Sequence, residues 1–206
     1  TGGNVSFYNQ NPDGAVYPTP TIGMVGVLDS YEDKMTLGFK EEGDLVYLVG
    51  QPNNDINCSE YLHKICGVAY SPAPHFDLEG EFSVQQAVLK LISQKLIQSA
   101  HDISEGGLFI TLLESAFVAG LGFEAVQKDS SLRADAFWFG ESQSRVVVSV
   151  SPSKQHAFES MLASSGTQST LLGNVKGKDV VINGENWGAV AAWKSPYDEK
   201  IGSLMA

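Results

Sequence analysis

Residues 99–120, S-A-H-D-I-S-E-G-G-L-F-I-T-L-L-E-S-A-F-V-A-G, decide the fold of the chain. The order of residue types predicts a short buried strand, a polar turn that carries Asp102 and Ser104, two glycines and then an apolar helix. Apolar residues lie almost all round this helix, so we expect it to be covered on more than one side. A strand, a turn and a buried helix in this order are typical of an α/β domain.

The polar turn is the first candidate site. Gly106 and Gly107 allow a ligand to approach the backbone, and the helix that follows directs unpaired N–H groups and the positive end of its dipole towards the turn. We expect an anion to bind there, with Asp102 holding a metal ion beside it. The alternative is that Ser104 only caps the helix and the glycines only turn the chain.

The composition limits the partners of the chain. Of 206 residues, 43% are hydrophobic and 18% are charged, which is typical of a globular protein. The formal net charge of −11 leaves no basic face for nucleic acid or acidic lipid, so we expect neither a nucleic-acid nor a membrane partner. If the chain binds a phosphate group, backbone N–H groups, metal ions or residues outside this sequence must neutralise it.

The two cysteines indicate a reducing compartment. Cys58 and Cys66 lie in one predicted short helix, separated by about 12 Å, which excludes a disulfide within that helix. We predict reduced thiols in the core of a cytoplasmic protein. No apolar stretch approaches the length of about 20 residues that spans a membrane, and no signal peptide is visible. Because the first residues resemble the interior of a domain, we interpret the chain as a fragment.

Residues 1–33 are predicted to be the last strands of a sheet-forming domain. After Gly3 the sequence N-V-S-F-Y alternates, which places Asn4 and Ser6 on one side of a strand. That side either faces a ligand or is the exposed half of an ordinary strand. A second, buried strand is expected over residues 21–28, and the rest of this domain is expected to precede the sequence.

Residues 34–206 are predicted to form a C-terminal α/β sandwich with one mixed sheet and helices packed on it. The last two predicted strands, joined by K-G-K, are expected to pair as a hairpin. The predicted strands outside the opening stretch cover residues 44–50, 121–127, 146–150, 169–175 and 179–182. The predicted helices begin near Ser59, at Ser83 with a capping pattern to Gln86, at Pro152, and at Trp187.

A second polar loop, F-G-E-S-Q-S-R at residues 139–145, precedes a strand of β-branched residues. It concentrates the hydrogen-bonding side chains of Glu141, Ser142 and Gln143 beside a glycine. The loop either borders a ligand or is a hydrogen-bonded loop that locks the strand. His75, in a proline-bearing loop, is either a ligand contact or a solvated loop histidine.

Three stretches taken together resemble one family. G-G-N-V-S-F-Y-N with P-T-P-T-I-G-M-V-G, A-H-D-I-S-E-G-G-L, and F-G-E-S-Q-S-R look like the C-terminal end of the large synthetase subunit in the phosphoribosylformylglycinamidine synthase family. The resemblance covers nearly the whole chain in the same order. The D-x-S-x-G-G element alone is less specific, because it also occurs in aminoimidazole ribonucleotide synthase, selenophosphate synthetase and thiamine-monophosphate kinase.

The resemblance implies an enzyme of purine biosynthesis. Members use ATP to activate the amide oxygen of formylglycinamide ribonucleotide, and ammonia derived from glutamine then displaces phosphate to give the amidine. Mg²⁺ ions bridge the phosphates and screen their charge. The implied partners are the rest of the same chain, a glutaminase subunit and a small bridging subunit, in the cytoplasm. Because the family's catalytic histidines and phosphate-holding lysine lie outside this sequence, we expect the sequence to be inactive alone.

The resemblance also implies roles for single residues. Gly3 corresponds to a glycine that borders ATP, Asn4 to a magnesium ligand and Ser6 to a contact with the ribonucleotide substrate. Asp102 and Ser104 correspond to positions that serve a nucleotide and its metal ion.

The loop of Glu141, Ser142 and Gln143 corresponds by pseudo-symmetry to a substrate-binding loop in the first half of the family enzyme, and its copy in this sequence either contacts substrate or is only structural. Two other functions stay open. The chain is either part of a different ATP-using enzyme of the same superfamily, or a non-catalytic module that packs and holds a nucleotide.

Overall fold

The chain divides into two units in the computed structural model, one over Thr1–Glu32 and one over Asp33–Ala206. The structure describes Gly3, residues 9–16 and residues 22–205.

The described part of the first unit contains little regular structure. An antiparallel hairpin joins β1 (Gln10–Asn11) to β2 (Gly14–Ala15). Residues 22–28 form no strand and are exposed, with Val25 fully accessible to solvent. The predicted buried strand over residues 21–28 is therefore wrong for its described residues, because no neighbouring strand of the described chain pairs with them.

The second unit is built on a seven-stranded mixed sheet with helices on both faces, as the sequence predicts. The strands are β3 (Leu45–Val49), β4 (Ser99–Asp102), β5 (Phe123–Ala125), β6 (Val146–Val150), β7 (Ser169–Val175), β8 (Asp179–Ile182) and β9 (Glu185–Ala189). The helices are α1 (Leu78–Ser93), α2 (Gly107–Ala119), α3 (Ala134–Phe139), α4 (Gln155–Ser165) and α5 (Val190–Met205). The strand order is β4-β6-β3-β7-β5-β8-β9. Among the paired neighbours in the described residues, β5 and β8 are parallel to each other and the other pairs are antiparallel.

The central strands are apolar on both sides because helices cover both faces of the sheet. In β3, Val46 and Leu48 belong to one core cluster, whereas Tyr47 and Val49 belong to the other. A slip of one residue would exchange the two sets of side chains between the faces. Because both sets are apolar, the register depends on how each side chain packs in its own cluster rather than on the apolar pattern. Burial of each such side chain stabilises the fold by about 1.5–3 kcal/mol.

Helix α2 packs on the sheet and also contacts α3 and α5. Leu108 and Leu112 are fully buried, and Phe109 and Leu113 on an adjoining face are nearly so. The prediction that this helix is covered on more than one side is confirmed. Helices α1 and α4 cover the opposite face of the sheet. Within the described residues, no helix combines the length and the apolar content that crossing a bilayer requires.

Helix α1 begins at Leu78, upstream of the predicted start at Ser83. The Asp77 carboxylate accepts a hydrogen bond from the Glu79 N–H at 3.2 Å and caps the helix there. Ser83 and Gln86 lie inside the helix, so the predicted capping pattern is wrong. The earlier cap satisfies an N-terminal donor and lets the helix extend back towards the loop of prolines.

Strand β5 lies between β7 and β8, so the predicted hairpin of residues 169–175 and 179–182 is wrong. Strand β5 pairs antiparallel with β7 and parallel with β8. Its Phe123 and Ala125 side chains are fully buried. An apolar strand buries more surface between two strands than at an edge, and this outweighs the local tendency of β7 and β8 to pair across a short turn.

A hairpin instead joins β8 to β9 through Asn183 and Gly184, whose φ angles are 51° and 83°. Asn-Gly is the residue pair that a tight type I′ hairpin favours, since both positions need positive φ. Trp187, where the last helix was predicted to begin, is therefore in β9, and α5 starts at Val190. That predicted boundary is wrong because the turn returns the chain along β8.

The two cysteines lie on the surface. Cys58 and Cys66 are exposed free thiols that flank a short π-helix, Tyr61–Ile65. The short helix predicted near Ser59 is thus present, but the predicted core position of the thiols is wrong. None of the π-helix residues is buried, so this segment has no core side for the cysteines to occupy.

Candidate functional site

The turn after β4 leaves its predicted ligand groups exposed. Asp102 ends β4 and Ser104 follows in the turn, and neither side chain makes a hydrogen bond within the described chain. Ile103 between them is buried, and its N–H donates to the Arg145 carbonyl at 3.0 Å. The backbone of the turn is therefore anchored while both polar side chains remain accessible to a ligand.

Gly107 begins α2 where a side chain would collide with backbone atoms. Its φ is 69°, and a Cβ atom would lie 2.7 Å from the Cα of Phe139 and 2.8 Å from the carbonyl oxygen of Gly140. Glycine therefore permits α2 to pack against the end of α3. The residue at the N-cap is Gly106, and Ser104 contributes its carbonyl oxygen, which accepts from the Gly107 N–H at 3.1 Å.

The carboxylate of Glu141 lies at the N-terminus of α2. Its Oε1 atom accepts hydrogen bonds from the N–H of Gly106 and the N–H of Glu60, each at 2.8 Å. A carboxylate at this end of a helix also interacts favourably with the helix dipole. The place where the sequence predicts an anionic ligand thus holds a carboxylate of the same chain.

Arg145 is buried and holds the second polar loop in shape. Its guanidinium donates to the carbonyl oxygens of Gly140 at 2.8 Å and of Ser142 at 2.9 and 3.0 Å. Burial lowers the pKa of Arg145 to about 10, and the neighbouring Asp55 carboxylate partly offsets that effect. The guanidinium therefore remains protonated at neutral pH and is already engaged by the loop.

The two serines of the loop are also engaged. The hydroxyl of buried Ser142 donates to Asn53 Oδ1 at 3.2 Å, and the hydroxyl of Ser144 donates to Glu81 Oε2 at 2.7 Å. Ser144 has a φ of 63°, and a Cβ atom at Gly50 would lie 2.1 Å from its carbonyl oxygen. A left-handed non-glycine residue held between two neighbours indicates a loop whose conformation is set by its surroundings.

Gln143 differs from the other side chains of the loop. It is exposed, and its carboxamide makes no hydrogen bond in the part of the chain that the structure describes. It lies on a ridge between two clefts, each of which it helps to line. The two interpretations of the loop are therefore compatible: its neighbours lock it, and the Gln143 side chain stays accessible.

The first of these clefts, the Asp102 cleft, has a volume of about 450 Å³. Its rim carries Asp102, Glu81 and Gln143, and its wall is apolar. The wall consists of Val84, Val88, Leu89, Ile103 and Val146. The second, the glutamine cleft, has a volume of about 420 Å³ and is lined by residues that include Gln51, Gln143, Gln168 and His75.

The structure brings some of the predicted site residues together. Asp102 and Gln143 share one cleft, whereas Ser104 lies in the adjoining turn. Gly3 is exposed in the first unit, and Asn4 and Ser6 fall outside the described residues. Gln51, Gln168 and Glu81 were not singled out from the sequence; each comes from a separate segment, and no local pattern marks them.

Asp102 is the candidate ligand for Mg²⁺ in this cleft. The described residues contain no group of three or more His, Cys, Asp or Glu side chains that suits a metal ion. Asp102 offers a single accessible carboxylate. Mg²⁺ in nucleotide sites commonly takes one or two carboxylates and completes its shell with phosphate oxygens and water, so Asp102 fits a metal that arrives with a nucleotide.

Comparison with known proteins places the chain among its relatives. Residues 41–183 match the family described as AIR synthase related protein, C-terminal domain. The chain is 42% identical over 182 residues to phosphoribosylformylglycinamidine synthase subunit PurL of Moorella thermoacetica, which covers 88% of this chain and 25% of that protein. The chain thus spans about a quarter of the length of the curated relatives it matches.

Solved structures share the fold. T. maritima PurL complexed with FGAR matches with a TM-score of 0.67 at 15% identity, over 79% of this chain and 29% of that chain. T. maritima PurL complexed with ATP matches with a TM-score of 0.60 at 14% identity, over 78% and 27% of the two chains. Because the family match extends over more than half of its residues, the chain belongs to the AIR synthase related family, whose C-terminal domain it carries.

Proposed function

We propose that the chain is the C-terminal part of a phosphoribosylformylglycinamidine synthase. This ligase converts formylglycinamide ribonucleotide, ATP and glutamine-derived ammonia to formylglycinamidine ribonucleotide, ADP and phosphate. The relatives at about 40% identity carry this name. The structural observation that supports it is the meeting of two motifs distant in sequence: the Glu141–Gly106 hydrogen bond joins them, and Asp102 and Gln143 border one cleft.

In this proposal the Asp102 cleft serves a nucleotide and its Mg²⁺ ion. Arg145 is the cleft's one basic lining residue among the described residues, and its guanidinium is already bound to loop carbonyls. The charge of a phosphate group is therefore neutralised by the metal ion. Asp102 holds this ion, and Ser104 contacts the nucleotide. Mg²⁺ supplies charge neutralisation when bound.

The residues of the second polar loop divide between two roles. Gln143 contacts the ligand directly, because its carboxamide is accessible. Glu141 and Ser142 affect substrate binding indirectly. Their internal hydrogen bonds hold the loop that carries Gln143 in place. In the first unit, Gly3 borders ATP, Asn4 ligates Mg²⁺ and Ser6 contacts the ribonucleotide.

The proposed protein works in the cytoplasm with further partners. Residues 1–33 belong to a sheet-forming domain and residues 34–206 form the sandwich. The remainder of the synthetase chain, a glutaminase subunit and a small bridging subunit complete the enzyme, and the 206-residue chain is inactive alone.

A non-catalytic role in holding a nucleotide is the second candidate. The observation that favours it is that Glu141 fills the N-terminus of α2, where backbone N–H groups would otherwise receive phosphate. In that case the Asp102 cleft binds nucleotide without turning it over. A different ATP-using enzyme of the same superfamily is the remaining alternative.

The first test is ammonia-dependent release of phosphate from ATP by the complete synthetase that carries this chain. Wild type is compared with Asn4→Ala, Asp102→Ala and the exposed neighbour variant Glu105→Ala, with and without formylglycinamide ribonucleotide. Release that requires the ribonucleotide and is lost in Asn4→Ala supports the synthase. Loss of nucleotide binding in Asp102→Ala with turnover retained supports the holding role, and release independent of the ribonucleotide rejects the synthase.

A further inference from the structure

The glutamine cleft lies on the other side of the Gln143–Ser144 ridge from the Asp102 cleft. Four segments distant in sequence form it: the loop after β3, the start of α1 with the residues before it, the second polar loop, and the turn between α4 and β7. Each of the loops contributes an exposed glutamine. These are Gln51, Gln143 and Gln168.

Three of the polar side chains that line this cleft without a hydrogen-bond partner are glutamines. None of their carboxamides makes a hydrogen bond within the described chain. Of the other lining residues, His75 donates only through its backbone N–H, to Asp55, and Thr167 accepts from Ser165 at 3.1 Å. Asn53 Oδ1 accepts from the hydroxyl of Ser142 and from the backbone N–H of Asp55. The cleft therefore offers three sets of amide donors and acceptors that no neighbour uses.

The base on which Gln143 stands is rigid. Arg145 binds the carbonyls on either side of Glu141, and Ser144 is fixed by Glu81 in a left-handed conformation. A side chain on a rigid loop loses less conformational entropy on binding than one on a mobile loop. The loop thus prepares one of the three carboxamides for a ligand.

The charge of the cleft disfavours an anionic ligand. Among the described residues no lysine or arginine lines it, and its ionisable lining residues are Asp77 and His75. Its lining also contains a single large apolar side chain, Val84, so it lacks the wall on which a flat base would pack. The part of a ligand that fits is neutral and carries several groups that both donate and accept hydrogen bonds.

We propose that the glutamine cleft binds the hydroxyl groups of a ribosyl moiety. Each hydroxyl donates to a glutamine carbonyl oxygen and accepts from a glutamine NH₂ group. This matches the carboxamides, which carry both hydrogen-bond donors and an acceptor. A volume of about 420 Å³ admits a ribosyl group. The inference rests on the proposed function, in which the ribosyl group belongs either to ATP or to formylglycinamide ribonucleotide.

The test measures ligand affinity with the complete synthetase by isothermal titration. The ligands are Mg·ATP, Mg·2′,3′-dideoxy-ATP and formylglycinamide ribonucleotide, each titrated into wild type, Gln51→Leu, Gln168→Leu and the control Gln94→Leu. Gln94 is an exposed glutamine at the end of α1 and lines neither cleft. Because all three substituted positions are exposed, we expect these variants to fold.

Loss of a hydrogen bond to a hydroxyl is expected to weaken binding about tenfold in Gln51→Leu and Gln168→Leu and to leave Gln94→Leu unchanged. If ATP supplies the ribosyl group, its affinity falls while that of the dideoxy analogue does not. If the ribonucleotide supplies it, only that ligand weakens. Wild-type affinity for both ribosyl ligands in both cleft variants overturns the inference, as does a wild type that binds neither.

Failure of the proposed function is recognised separately. It appears as a wild-type enzyme without ribonucleotide-dependent phosphate release. Failure of the ribosyl inference alone appears as a wild type that turns over normally together with cleft variants whose affinities do not change.

Discussion

The Oε1 atom of Glu141 lies 2.8 Å from the backbone nitrogen of Gly106 and accepts its hydrogen bond. The same oxygen accepts from the N–H of Glu60, so one carboxylate joins the second polar loop, the start of α2 and the segment that leads to the π-helix. Asp102 lies four residues before Gly106, and Gln143 lies two residues after Glu141. The relative positions of the two proposed ligand contacts therefore depend on this carboxylate.

Replacement of Glu141 by alanine is expected to lower the free energy of unfolding by about 1–3 kcal/mol, because two backbone donors lose their acceptor. Glu141→Gln keeps an acceptor oxygen and is expected to cost less. Urea unfolding of the 206-residue chain, followed by circular dichroism, measures both. Glu105→Ala, an exposed change in the same turn, serves as the control and is expected to stay within about 0.5 kcal/mol. Equal stability of Glu141→Ala and this control would show that the junction contributes nothing.

Gly107→Ala and Gly120→Ala form a matched pair. Both glycines have positive φ, 69° and 61°, and lie at the two ends of α2. A Cβ atom at Gly107 meets backbone at 2.7 Å, whereas one at Gly120 meets nothing within 4 Å. We expect Gly120→Ala to cost about 1 kcal/mol from strain alone, and Gly107→Ala to cost several kcal/mol or to prevent folding.

Thermal unfolding of both variants measures the difference, which isolates the close approach of α2 to the end of α3. Similar melting temperatures for the two alanine variants would contradict that packing.

The thiols of Cys58 and Cys66 are expected to react with a chromogenic disulfide reagent in the native chain, because both are exposed. The reaction should consume two equivalents without denaturant, and Cys66→Ser should leave one. Release of thiols only after addition of urea would instead indicate the core position that the sequence suggested.

The parts of the fold that were predicted correctly are those whose signal is local. The valine-rich β6 and the apolar α2 each carry their pattern within one element, so the strand and the helix could be identified from consecutive residues. The placement of β5 between β7 and β8 could not, because it depends on the pairing of strands that α3, β6 and α4 separate along the chain. The β8–β9 hairpin does carry a local signal, Asn183-Gly184, the residue pair that a type I′ turn favours.

The candidate site shows the same division. Asp102 and Gln143 were identified because each belongs to a short motif, and the structure places both on one cleft. Gln51 and Gln168 come from unrelated loops, and only the sheet order brings them to Gln143. The role of Glu141 as an internal acceptor was also beyond the sequence, since its partners lie 35 and 81 residues away.

Asp44 provides a prediction about pH. Its side chain is buried at the start of β3, and its Oδ2 atom has no hydrogen-bond partner among the described residues. Burial raises the pKa of this carboxyl, the charge of Glu41 adds to the effect, and a hydrogen bond from the Glu41 backbone opposes it. The fold therefore favours the neutral acid.

The contribution of Asp44 to the free energy of unfolding should fall as the pH rises from the unfolded pKa of about 3.9 through the raised folded pKa. The reason is that ionisation of this carboxyl is disfavoured only in the folded state. Asp44→Asn stays neutral, so the difference in stability between this variant and wild type should change in favour of the variant as the pH rises from about 3.5 to neutral. Urea unfolding across this range measures the difference. The exposed Asp13→Asn is the control and should show no such change, and a constant difference for Asp44→Asn would mean that Asp44 ionises as readily in the fold as in the unfolded chain.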